Sequence, residues 1–483
     1  MGMKEWMETL ARERAASNAM GGQEAVERQH SRGRLSVRER LARLLDAGSF
    51  MELGMLARAQ DPALDDVSAA DGLVTGFGKI NGMGTAVVAE DATVLDNTDA
   101  QVAAMKRARL LDLTARTGWQ VVFLADRGEG RVRAVKQAFL LGGAARQDPG
   151  PNVSAWPSLT LAAVMGNCFG AAANTAVAAD FLVMVKGSCL QIEGPVQAQD
   201  NSTLHAQVTG VVDRVAADDD EALALLRQLT SYLPPNTGLP PPRRLSGDSA
   251  ERELGAAASL VPEELEQSYD VTPLVQMLVD KGSFFALKPD FGPSLVTGLA
   301  RLDGHSIGVV ASQPLHNGGV LDGAALRKAL RLARLCRRFR LPLLFLQDTP
   351  GYAASSPGDQ RDLLTATSEL VQTITELSAP KLVVVLRRGH VLGDFVLGGR
   401  RLGIDYVAAW PFAEIPTTEP AGFAATPAPP RGTRGGPWPA ADLGIIEEVL
   451  EPSETRARLS HFLEIALLHR SLPDLSPDRD SVL

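Results

Sequence analysis

Four short stretches are the places where this chain could do chemistry. They are Asp126-Arg127-Gly128-Glu129-Gly130-Arg131, Gly166-Asn167-Cys168-Phe169-Gly170-Ala171-Ala172, Asp348-Thr349-Pro350-Gly351-Tyr352 and Gly389-His390-Val391-Leu392-Gly393-Asp394. Each lies just past an apolar run of strand character. In α/β proteins, ligands bind beyond the carboxyl ends of parallel strands, where loop backbone meets helix N-termini. Small residues at the first turn of a helix leave N–H groups bare, and two such donors can hold a developing oxyanion. Each donor is worth about 10²–10³ in rate. The same small residues also suit close packing of helix on strand, so a single turn decides nothing.

Side-chain chemistry is sparse by comparison. The seven histidines form neither HxH nor HExxH, so no metal site is expected. Cys168, Cys189 and Cys336 are far apart with no CxxC, which speaks against a disulfide framework and against a cysteine zinc site. There is no GxSxG elbow and no P-loop. His390 and Cys168 lie in candidate turns, but the first reads as a packing or surface residue and the second as a small hydrophobe. Catalysis is therefore expected to rest on backbone amides.

The elements that must position these turns come twice. Val74-Thr75-Gly76 returns 222 residues later as Val296-Thr297-Gly298, and Phe123-Leu124-Ala125-Asp126 returns at the same offset as Phe345-Leu346-Gln347-Asp348. Asp180-Phe181-Leu182-Val183 is answered by Asp405-Tyr406-Val407-Ala408. Two copies of one domain are implied, not a short-period solenoid. Each copy opens with a strand pair around a tight turn, Asn81-Gly82 or Asp303-Gly304. Helical spacing follows over Ala100–Thr117 and Gly323–Arg338, then buried strands at Gln120–Ala125 and Pro342–Gln347. Further strands are expected at Leu159–Met165 and Lys381–Leu386, and at Phe181–Val185 and Tyr406–Trp410. This alternation predicts an α/β fold with mainly parallel sheets.

Four segments result: an N-terminal helical segment over 1–60, a first domain over 61–233, a linker over 234–260 and a second domain over 261–483. The linker is marked by five prolines between Pro234 and Pro242. Arg32–Leu45 is expected as an amphipathic helix packed on the outside. Pro416–Pro439, rich in proline, is expected as an extended loop without a helix.

Composition narrows the function. With 45% hydrophobic and 22% charged residues the chain is globular and not disordered. A net charge of −9 without a dense basic run speaks against a nucleic-acid partner. Apolar runs such as Leu159–Met165 are too short to cross a bilayer, and the charged Met1–Arg40 is unlike a secretory signal. A cytoplasmic protein without membrane contact is the expectation.

Several stretches carry a resemblance: Arg32-Gly33-Arg34-Leu35-Ser36-Val37-Arg38-Glu39-Arg40, Leu44-Leu45-Asp46-Ala47-Gly48-Ser49-Phe50, Pro289-Asp290-Phe291, Val309-Val310-Ala311-Ser312-Gln313-Pro314-Leu315 and Ala408-Ala409-Trp410-Pro411. From about Arg32 to Leu450 the chain resembles the carboxyltransferase (β) subunits of biotin-dependent acyl-CoA carboxylases, propionyl-CoA carboxylase among them. The resemblance implies two tandem crotonase-like (ClpP/crotonase) α/β domains, assembled as a homo-oligomer, a hexamer built from dimers. It implies an acyl-CoA substrate and biotin carried on a separate biotinylated carrier and biotin carboxylase subunit. No Met-Lys-Met attachment motif occurs in this chain. In that family carboxybiotin releases CO2, the biotin anion takes the α-proton, and the thioester enolate captures the CO2.

Site residues follow from the same resemblance. Gly170 and Ala171 fall on the first oxyanion turn, beside Phe169 as a substrate contact. Gly128, Gly130 and Arg131 fall on the family's Gly-Gly-Ala-Arg turn. In the second domain Leu392 and Gly393 fall on the biotin-side turn, where Val391-Leu392 replaces the family's small pair, and Phe395 stands where an aspartate influences acyl selectivity. Three activities stay open: an acyl-CoA carboxyltransferase, a biotin-independent decarboxylase of a malonyl- or methylmalonyl-type thioester, and a non-catalytic acyl-CoA-binding relative.

Overall fold

Among the described residues, apolar strands alternating with helices fold into two seven-stranded sheets, one in each of two units, Met1–Pro240 and Pro241–Leu483. The structure, a computed structural model, describes residues 2–59, 67–94, 101–127, 156–192, 199–353, 356–389, 402–416 and 435–471. In the first unit the main sheet takes β1 (Met51–Leu53), β2 (Leu73–Ile80), β3 (Met83–Glu90), β4 (Gln120–Ala125) and β5 (Thr160–Val164) in that order. A short parallel pair, β6 (Asn167–Phe169) and β8 (Cys189–Gln191), stands apart, while β7 (Phe181–Val185) and β9 (Arg214–Ala216) complete the main sheet. The second unit runs β10 (Phe285–Leu287), β11 (Leu295–Leu302), β12 (His305–Ser312), β13 (Leu343–Thr349), β14 (Lys381–Gly389), β15 (Tyr406–Ala409) and β16 (Glu448–Val449). In both sheets the first three strands are antiparallel and the rest parallel. Every residue of β4, β5 and β7 is buried, as parallel strands covered on both faces require.

The duplication extends to single hydrogen bonds. Each hairpin turn has positive φ at both central residues, Asn81 and Gly82 or Asp303 and Gly304. In the first unit Asp46 accepts from the amides of Asn81 (3.2 Å) and Gly82 (2.8 Å). In the second, Asp280 accepts from Asp303 (3.0 Å) and Gly304 (2.8 Å). An arginine neutralises each aspartate, Arg227 at 3.0 Å and Arg456 at 2.8 Å. Lys106 donates to the carbonyls of Ala70 and Leu73, and Lys328, 222 residues on, donates to those of Gly292 and Leu295. Burial pushes both ammonium groups down, to about 8 for Lys106 and about 7 for Lys328.

Three expectations need correction. The helix expected from Arg32 begins only at Val37, capped by Ser36 with Glu39 in a capping box. It is not an outer element throughout, because Arg40 is fully buried between Asp126 (2.8 Å) and Asp219 (2.7 Å). The 234–260 stretch is not wholly a linker, since Leu254 and Ala257 join the second unit's core. The helix Trp438–Asp442 begins inside the stretch expected to be extended.

Candidate active site

The first-unit turn is built by constraints that its sequence encodes locally. Past β5, the amide of Met165 donates to the carbonyl of Ala125, and that of Arg127 to the carbonyl of Asn167, tying the turn to the end of β4. Gly166 has no substitute here: a Cβ would lie 1.8 Å from Asp126 Oδ1. Gly170 takes φ +60 and ψ −129, a backbone that a side chain disfavours, and it caps the helix Ala171–Ala178.

The structure revises the donor pair. The Gly170 amide donates to the carbonyl of Ile192 at 3.0 Å, so it is not offered to a ligand as Gly170 and Ala171 together were expected to be. Ile192 arrives there because β8 pairs with β6, a tertiary event that no local motif announces. The Gly170 carbonyl already accepts the Asn174 amide, opening the helix. The amides of Ala171 and Ala172, both half-buried, have no hydrogen-bond partner among the described residues. The available pair is therefore Ala171 and Ala172, one residue further on.

These amides stand beside a recess. Val88, Phe123, Ala125 and Ala162 line it from β3, β4 and β5, and Ala172, Thr175 and Ala176 from one face of the helix, with Glu90 and Arg107 also contributing. The recess opens to solvent at its mouth. The Thr175 hydroxyl donates to the Ala171 carbonyl (2.9 Å), so it presents no free proton to the recess. Glu90 is held by Arg127 Nε at 2.9 Å and by the Asp126 amide at 3.2 Å. Asp126 in turn accepts from Gln29 (2.6 Å) and pairs with Arg40 (2.8 Å). The carboxylates near the turn are committed to ion pairs, which fix its position.

Cys168 is fully buried in the first unit's core, and burial pushes its thiol well above the ordinary range. Its role there is packing, and a thiol so raised is no nucleophile. Phe169 ends β6, half-buried and adjacent to Gly170. Gly128, Gly130, Arg131, His390, Leu392, Gly393 and Phe395 lie outside the described residues. Among the described residues no group of three or more His, Cys, Asp or Glu could hold a metal ion, and no helix is long and apolar enough to cross a membrane. Sequence reasoning passed over Ala172, Glu90 and Thr175. A charged residue ending the otherwise apolar strand β3 was the signal that could have found Glu90.

Comparison with known proteins places this geometry in a family. The carboxyl transferase domain model matches residues 28–426. The propionyl-CoA carboxylase beta chain of Roseobacter denitrificans is 32% identical over 491 residues, covering 95% of this chain and 96% of that one. The methylmalonyl-CoA decarboxylase subunit alpha of Veillonella parvula is 29% identical, covering 94% of each. Among solved structures, transcarboxylase 12S, a hexamer assembly with hydrolysed methylmalonyl-coenzyme A bound, superposes with a TM-score of 0.88 at 28% identity over 99% of this chain and 98% of that one. The expected α/β fold of two tandem crotonase-like domains is thereby borne out. Its two equivalent sheets, its amide-bearing turn and this breadth of likeness agree: the chain belongs to the carboxyl transferase domain family.

Proposed function

We propose that this protein transfers CO2 from carboxybiotin on a separate carrier protein to the α-carbon of a short acyl-CoA. The observation that carries the reading is the pair of unpartnered amides at Ala171 and Ala172, opening beside a recess walled by Val88, Phe123 and Ala162. Removing the α-proton of a thioester puts negative charge on its carbonyl oxygen. Fixed N–H groups at a helix N-terminus are aimed at that charge and need no reorganisation as it develops. The apolar wall keeps water from the carbanionic carbon and strengthens the amide–oxyanion attraction. No side-chain acid is needed on this side, in keeping with Glu90 and Asp126 being committed to arginines.

Biotin, when bound, supplies the CO2. The proposed assembly is a homo-oligomer of hexamer type, supported by the transcarboxylase 12S hexamer, with a biotinylated carrier as its proposed partner.

A second reading is favoured by the Veillonella relative: decarboxylation of a malonyl- or methylmalonyl-type thioester would leave the same enolate in the same turn. One assay separates the two. The purified protein is given propionyl-CoA with carboxylated biotin carrier, and separately methylmalonyl-CoA without carrier. Carrier-dependent carboxylation that avidin abolishes supports the transferase. Thioester decarboxylation indifferent to avidin overturns it in favour of the second reading. CoA binding with no turnover in either arm overturns both.

A further inference from the structure

Arg34 belongs to a stretch, Arg32–Arg40, that carries much of the chain's resemblance to its family but lies outside the turns where chemistry was expected. Three side chains of the N-terminal segment converge on the carboxylate of Asp126. Gln29 Nε2 (2.6 Å) and Arg40 (2.8 Å) reach Oδ2, and Arg34 Nη1 stands 3.5 Å from Oδ1. Gln29 and Arg40 are buried, and Arg40 also answers Asp219, so removing it would strand two buried carboxylates. Arg34 is different, with 18% of its side chain exposed. Its guanidinium lies over Gly166, Nη1 being 2.9 Å from where a Cβ would stand, and its Nη2 donates to the Gly187 carbonyl at 3.1 Å.

Gly166 and Gly187 are the roots of the two short strands that frame the amide-bearing turn. Gly166 directly precedes β6, and Gly187 stands just before β8. From there the strands run in step. The Gly166 carbonyl accepts the Cys189 amide at 3.0 Å, and the ladder pairs Asn167 with Cys189, Cys168 with Leu190 and Phe169 with Gln191. The Gly170 amide then closes on the Ile192 carbonyl, and the next two amides are the bare ones of Ala171 and Ala172. Among the described residues this pair shares no strand ladder with the main sheet. Two strands alone are marginally stable, so their register must be held from outside. A slip by one residue would hand the Ile192 carbonyl a different amide and turn every β6 side chain over.

We propose that Arg34 is a positioning residue for the oxyanion turn: its fork ties Asp126, where that side chain covers Gly166, to the Gly187 carbonyl, and so fixes β6 against β8 and the direction of the Ala171 and Ala172 amides. An arginine suits the task because donors of one rigid plane address acceptors on separate segments, whereas a lysine presents a single point charge. Arg34 touches no reacting atom and acts only through the strand roots. That the amides hold a thioester oxyanion rests on the function proposed above; the register rests on the contacts alone.

The test compares the full-length wild type with Arg34→Ala and Arg34→Lys. Amide hydrogen exchange, read by mass spectrometry on peptides covering 166–172 and 187–192, should be at least about tenfold faster in both variants, with the β4 and β5 peptides unchanged. Arg34→Lys keeps the stem and the charge, which makes it the folded comparison, and it shares the faster exchange because it lacks the fork. With propionyl-CoA and carboxylated carrier, kcat of Arg34→Ala should fall about 10–100-fold while KM for acyl-CoA moves less than about twofold, the pattern of misplaced transition-state donors. Guanidinium ion at a non-denaturing concentration should restore kcat saturably, and sodium chloride of equal ionic strength should not. Wild-type exchange in either variant, an unchanged kcat in Arg34→Ala, a loss carried by KM, or a loss that guanidinium fails to restore or sodium chloride restores equally would each overturn the proposal. Faster exchange in both variants of a protein whose wild type fails both turnover assays would keep Arg34 as the register anchor and sink only the proposed activity.

Discussion

At the scale of single residues, the two glycines of the first-unit turn are required for different physical reasons, and substitution separates them. Gly166 is required by space: with Asp126 Oδ1 only 1.8 Å from its would-be Cβ, Gly166→Ala must displace a carboxylate held by Gln29 and Arg40. We expect a loss of about 1–3 kcal/mol in denaturant unfolding of the first unit, the usual range for overpacking. Gly170 is required by conformation: nothing lies within 4 Å of its would-be Cβ, but its φ of +60 is strained for any side chain. Gly170→Ala should cost a similar about 1–3 kcal/mol through the backbone and also shift the Ala171 and Ala172 amides. The two differ in their rescue. Asp126→Ala by itself is destabilising because it strips buried Arg40 of a partner, but in a double-mutant cycle it should couple favourably with Gly166→Ala and not with Gly170→Ala. Equal rescue of both by that change would refute the distinction.

Individual elements repeat the same bond pattern at matched offsets, and this level was partly legible in sequence. The 222-residue offset, the hairpin turns and the buried parallel strands all follow from apolar runs and Asn-Gly or Asp-Gly punctuation, which are local. Local pattern could not show that Arg40 would be buried, or that Ile192 would claim the Gly170 amide. Both depend on segments far apart in sequence meeting across the fold. The paired lysines were equally hidden, since a lysine on an apolar helix reads as solvated until its carbonyl partners are known. They give a pH test. Burial holds the Lys328 ammonium at about 7 against 10.5 for the unfolded chain, with Lys288 reinforcing and Asp290 opposing. Above about pH 7 the unfolded state therefore binds more protons than the folded one, and stability rises with pH by up to about 1.4 kcal/mol per unit until the unfolded value is reached. Measured against Lys328→Met, the second unit should gain stability between pH 7 and 9 and show no such trend below pH 6. Parallel pH profiles for the two proteins would contradict this.

Across the whole molecule, one sheet pattern occurs twice with different side chains at the equivalent strand ends. The first copy sets the Ala171 and Ala172 amides beside an apolar recess, and the second has Ser312 and Gln347 near the equivalent strand ends. The family was legible over nearly the whole chain. That the Gly170 amide is spent on the Ile192 carbonyl was not legible, because it depends on how the tertiary fold pairs segments apart in sequence. The central claim, that main-chain amides at this helix end stabilise the thioester oxyanion, has a direct test in Ala171→Pro. Proline is accepted at the first helical position, where it removes the N–H without breaking a helix bond. The measurement is kcat of wild type and Ala171→Pro with propionyl-CoA and carboxylated carrier, alongside acyl-CoA affinity and melting temperature. We expect kcat to fall by about 10²–10³ with melting temperature and CoA affinity little changed. An undiminished kcat in a folded, CoA-binding Ala171→Pro would contradict the account.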